Sequence, residues 1–138
     1  LMNIRSLCCI LGMAALLAAC SDPEPPREPA EIVAERAQAR WDAVVASDPE
    51  AVYAFETPGI REQTSAMDYA VQMSRRQITY RDADVIGVEC SENRCTAAIM
   101  VAYSADGAPG ALSGMKGERQ VRETWIQIDD QWWRAAPE

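Results

Sequence analysis

No histidine occurs anywhere in the 138 residues. That absence removes the commonest metal ligand and the side chain best suited to moving protons near neutral pH. A positive balance is missing too: 13 lysines and arginines face 21 aspartates and glutamates, for a formal charge of −8. Nucleic acid and anionic lipid surfaces would repel such a chain, so neither is expected as a partner through charge. The longest apolar run, Leu7 to Leu17, rises only about 16 Å as a helix, roughly half the hydrocarbon thickness of a bilayer. No internal repeat is visible. Gly-x-Ser-x-Gly, phosphate-loop and metal-ligand spacings are all absent, and the glycine-rich stretch from Asp106 to Gly117 lacks the Gly-Lys-Ser/Thr ending of a phosphate cradle. No cofactor, no metal and no catalytic residue is therefore assigned. At 49% hydrophobic and 25% charged the composition is that of a globular protein, and the length fits one small core.

The amino terminus carries the clearest signal. Met2-Asn3-Ile4-Arg5 gives a short positive region, the apolar run follows, and small residues come next, which is the pattern of a secretion signal. Leu17-Ala18-Ala19-Cys20 resembles the lipobox of bacterial lipoproteins. The resemblance implies cleavage before Cys20, acylation of its thiol and of the new amino group, and a membrane partner reached through those chains. Two or three acyl chains hold a protein far more firmly than one. Ser21 stands where inner-membrane lipoproteins of many Gram-negative bacteria have aspartate, so the resemblance implies the periplasmic face of the outer membrane; the inner membrane or the outer face of a cell membrane is the alternative. Residues 1–19 are thus read as signal peptide and residues 20–30 as acylated cysteine plus proline-rich tether (SDPEPPREPA), stiffened toward polyproline II. Residues 31–138 form the domain.

Within it, Val33, Ala37, Trp41, Val44 and Val45 recur at helical spacing over Glu31 to Ser47, with Glu31, Glu35, Arg36 and Arg40 on other faces. Asp48-Pro49-Glu50 starts a second helix carrying Val52, Tyr53 and Phe55, which Thr57-Pro58-Gly59 ends. Ser65 to Asp68 is a capping-box-like start for a third, bearing Met67, Tyr69, Ala70, Val71 and Met73. Arg81-Asp82-Ala83-Asp84 reads as loop. Val85, Ile86 and Val88 lead to Cys90, Ser91-Glu92-Asn93-Arg94 form a four-residue loop, and Cys95 opens Thr96 to Tyr103, so a hairpin is predicted. Ala105 to Gly117 reads as a mobile loop. Gln120 to Ile128 is a strand, Asp129-Asp130 a tight turn, and Gln131 to Arg134 a last strand.

Helices followed by an antiparallel sheet define an α+β domain. The order of elements, with Trp41, then Asp48 to Phe55 and Thr57 to Arg61, then Asp130-Gln131-Trp132-Trp133-Arg134, resembles the NTF2-like (SnoaL-like) superfamily. Such a fold wraps a curved sheet around helices into a cone with a pocket. A BamE-like assembly lipoprotein, with two helices before its strands, is the alternative.

Cys90 and Cys95 should oppose one another across the hairpin, close enough for a disulfide, and an exported chain meets oxidising conditions. The C-x₄-C spacing is not that of a thiol oxidoreductase, so the pair reads as structural. Trp41, Tyr53, Phe55, Tyr69, Trp125, Trp132 and Trp133 are the candidates for pocket or interface, and on a strand Trp132 and Trp133 must point to opposite faces. NTF2-like enzymes such as ketosteroid isomerases use an acid and a tyrosine; Asp68, Asp82, Tyr53 and Tyr69 are the available ones, and no spacing selects among them. The expected function is a lipid-anchored, non-catalytic module for a protein partner or small apolar ligand. An outer-membrane assembly or stability factor, or an enzyme with a pocket carboxylate, are the alternatives.

Overall fold

A computed structural model describes residues 26–137. The leader, Cys20 and most of the tether lie outside these residues.

Four helices precede the sheet: α1 (Pro29–Val45), α2 (Pro49–Tyr53), α3 (Pro58–Gln63) and α4 (Ala66–Ser74). Helix α1 begins at Pro29, so it takes the last two residues assigned to the tether; proline suits this first position because its missing N–H would have no helical acceptor. Asp48 caps α2, its carboxylate accepting from the Ala51 N–H at 3.0 Å. Ser65 caps α4 through the Asp68 N–H, as the box pattern predicted. Thr57-Pro58 corrects the sequence reading. Instead of ending a helix, Thr57 accepts from the Ile60 N–H and Pro58 opens α3. A Thr-Pro pair serves as readily at a helix start as beyond a helix end.

The sheet is antiparallel, in the order β1 (Thr79–Ser91), β2 (Arg94–Ser104), β3 (Lys116–Ile128) and β4 (Gln131–Arg134). Arg81 to Asp84, expected as loop, belongs to β1. Register shifts between Tyr80 and Asp82 and between Val85 and Gly87 break its alternation, which hid the strand. These irregularities curve β1 around α1. The expected four-residue loop is shorter as well: Ser91 pairs with Arg94, leaving a Glu92-Asn93 turn with Glu92 at φ +54°. Strand β3 starts at Lys116 rather than Gln120. The glycine-rich connection before it is tied across its base, Ala105 N–H to Met115 carbonyl at 2.8 Å and Gly107 N–H to Gln77 carbonyl at 3.2 Å. Asp129 and Asp130 form the last turn, both at positive φ.

Helix α1 packs along the concave face. Val33, Ala37, Trp41 and Val44 meet Ala97, Ile99, Val101, Trp125 and Trp132, all buried. The architecture is the α+β arrangement the NTF2-like resemblance implies, helices first and a curved antiparallel sheet after them, with four helices rather than the two of the alternative.

Candidate functional site

Between the helices and the sheet lies a buried charge network. Arg40, expected on an outer face of α1, is 3% exposed and faces the sheet. Three residues after Ala37 and four before Val44, it sits on the stripe that packs inward. Its Nη1 donates to Glu123 Oε1 at 2.5 Å, and its Nη2 lies 3.6 Å from Glu56 Oε1. Glu123 occupies an inward position of β3, opposite Ala97. Glu56 is fully buried and receives Arg134 Nη1 at 3.1 and 3.3 Å and the Tyr69 hydroxyl at 2.8 Å. A parallel bridge between Glu56 and Arg134 brings their backbones together, with the Arg134 N–H donating to the Phe55 carbonyl.

Two arginines thus balance two glutamates. Burial pushes the Glu123 carboxyl above the ordinary range, and Arg40, then Arg134, work against that rise. One Glu123 oxygen and the Arg40 Nε have no hydrogen-bond partner among the described residues, which fits a carboxylate only partly compensated. Tyr69 is also held up, first by burial and then by its bond to Glu56. None of the four charged residues stood out in the sequence. The signal available was a charge on an apolar stripe, at Arg40 and again at Glu123 between Val121 and Trp125.

The residues proposed from sequence divide among three places. Trp125 and Trp132 are core, with Phe55 edge-on to Trp125 at 6.3 Å. Trp41 meets Tyr80 edge-on at 5.1 Å, and Tyr53 meets Tyr69 at 5.4 Å. Tyr53 also donates to the carbonyls of Arg61 and Thr64, tying α2 to the end of α3. Trp133, on the outer face, is half-buried beneath Arg36 and Arg61. Asp68 and Asp82 take no part: both are exposed, Asp68 bonded to Ser65 and Asp82 to the Ala83 N–H. Cys90 and Cys95 form a disulfide with Cα atoms 4.0 Å apart.

A groove of about 290 Å³ opens where the end of α1, α4 and the start of β1 meet. Val44, Pro49, Ala70, Met73, Ile78 and Tyr80 supply its apolar wall, and Ser47, Ser74, Thr79 and Arg76 the polar part. No aspartate, glutamate or cysteine lines it. Among the described residues no group of three His, Cys, Asp or Glu side chains could hold a metal ion, and no helix is long and apolar enough to cross a membrane.

No family model matches the chain, and no curated relative matches it. Solved structures do. A SEC-C motif containing protein from Psychrobacter arcticus aligns at TM-score 0.58 and 12% identity over 82% of this chain, which spans 63% of that protein. Another, from Rhodopseudomonas palustris, aligns at 0.52 and 15% identity over 72% of this chain and 71% of its own. An NTF2-like transpeptidase from Campylobacter jejuni aligns more loosely, at 0.49 and 8% identity over 75% of this chain and 96% of that one. At these identities the first two likenesses concern the fold alone.

Proposed function

We propose that the chain is a lipid-anchored module of the bacterial envelope that binds a small apolar ligand in the groove between α1, α4 and β1, without catalysis. The observation that carries this reading is the separation of cavity from chemistry. The groove joins an apolar wall to a few hydroxyls and Arg76 and is free of carboxylates, while the buried carboxylates, Glu56 and Glu123, are engaged by Arg40 and Arg134 elsewhere. An acid–base catalyst needs its titrating group at the substrate. A volume near 290 Å³ lies at the small end of ligand cavities. The Cys90–Cys95 disulfide supports residence in an oxidising compartment, and the lipobox-like Leu17 to Cys20 supports anchoring there.

The test is titration of the isolated chain with 8-anilinonaphthalene-1-sulfonate. Saturable one-site fluorescence is expected, lost in Ala70→Trp, which fills the groove, and kept in Glu123→Gln. Binding unchanged by Ala70→Trp, with circular dichroism unaltered, would refute the groove as the site.

A further inference from the structure

The outer face of β4 carries a second, separate feature. Strand alternation buries Trp132 and turns Trp133 outward beside its register partner Ile126. Arg36 reaches from α1 to this edge, its Nε donating to the Trp132 carbonyl at 2.8 Å. Its guanidinium lies 5.2 Å from the Phe55 ring centre and 5.8 Å from that of Trp133. Arg61, from α3, lies 4.7 Å from the same Trp133 ring. The two guanidinium carbons are therefore no more than 10.5 Å apart.

Their lack of counter-charge sets these two apart. Arg40 and Arg134, the other arginines not fully open to solvent among the described residues, are each neutralised by glutamate. Arg36 and Arg61 are half-buried with no carboxylate within salt-bridge distance among the described residues, in a chain with an excess of eight negative charges. A partly desolvated cation without an anion is costly, and an incoming carboxylate offsets that cost. Tryptophan in contact with arginine is also the composition of interface hot spots.

We propose that Arg36, Trp133 and Arg61 form a docking surface for an acidic peptide segment of a partner protein, carrying two carboxylates two residues apart. In an extended segment such side chains emerge about 6.6 Å apart on one face. Their carboxylates reach the two guanidiniums that lie over the indole. The groove between α1, α4 and β1 does not include Arg36, Arg61 or Trp133, so this surface is separate from it. The edge of β4 is already bonded, Trp132 carbonyl to Arg36 and Arg134 N–H to Phe55, so side chains rather than strand addition hold the segment. The acidic remainder of the molecule disfavours an anionic bilayer, and it restricts the partner to a few charges.

The experiment is fluorescence anisotropy of the isolated chain with a labelled nine-residue peptide containing one Glu-Leu-Glu, against its Gln-Leu-Gln counterpart. Phosphatidylglycerol vesicles are assayed in parallel. The glutamate peptide should bind at least about tenfold tighter, about 1.4 kcal/mol, and weaken as salt rises. Arg61→Gln should remove most of that difference and Arg61→Lys keep part of it. Equal affinity for the two peptides, or no binding of the glutamate peptide, would overturn the proposal without using any variant. Arg61-dependent binding to vesicles but not to peptide would overturn it in favour of a lipid headgroup. Ala70→Trp should leave peptide binding intact, which separates this surface from the groove.

Discussion

Glu56 is the residue on which the interior depends most, because one carboxylate serves Arg40, Arg134 and Tyr69 together. Removing a single member of a buried ion cluster leaves uncompensated charge, typically costing about 3–5 kcal/mol. Glu56→Gln should accordingly lower unfolding stability by about 3 kcal/mol in urea denaturation at pH 7; a loss below about 1 kcal/mol would mean that the network is hydrated. Glu123 makes a pH prediction of opposite sign to that of an ordinary paired carboxylate. Its folded pKa is raised from 4.5, so the folded state binds its proton more tightly than the unfolded state. The associated stabilisation is complete below the unfolded value and is lost as pH rises through the folded one. Glu123→Gln abolishes that slope, so the stability gap between wild type and variant should narrow from pH 4.5 to 7.5. A gap that widens would refute the raised value. These side chains were hard to read from sequence because charge ordinarily marks a solvated face, and here it marks partners contributed by α1, β3, β4 and the segment after α2.

The turns between strands test the elements. Asp129 and Asp130 both occupy left-handed backbone, where Asn-Gly is favoured and where two adjacent carboxylates repel. Replacing the pair by Asn-Gly should stabilise the β3–β4 hairpin by about 1 kcal/mol, visible as a higher thermal midpoint; an unchanged or lower midpoint would count against the assigned turn. At the other hairpin, Cys90→Ser with Cys95→Ser opens a short loop and should cost about 2 kcal/mol on the chain-entropy account. The matching control is that a thiol reductant destabilises wild type but not the double variant. Strands β2 and β4, helix α4 and the opposed cysteines were legible because their patterns are local: alternation, a capping box, a fixed spacing. The start of β1 and helix α3 were not. Bulges disrupt alternation in β1, and Thr57-Pro58 has two local meanings until the Glu56–Arg134 bridge places the chain beside β4.

At the scale of the molecule the proposed function requires Cys20 to be the anchor. Cells producing the chain should incorporate radiolabelled palmitate and retain it in the membrane fraction, and Cys20→Ser should abolish both. Label carried by the serine variant would place the modification elsewhere. The α+β class, the elements packed on Trp41, the disulfide pairing and the leader-like start follow from spacing and composition, since periodicity and capping act over a few residues. The pairing of Arg40 with Glu123, the groove beside Met73 and the placement of two half-buried arginines over Trp133 arise where residues far apart in the chain meet. Burial and charge compensation there depend on the curvature of the sheet around α1, and no local pattern encodes them.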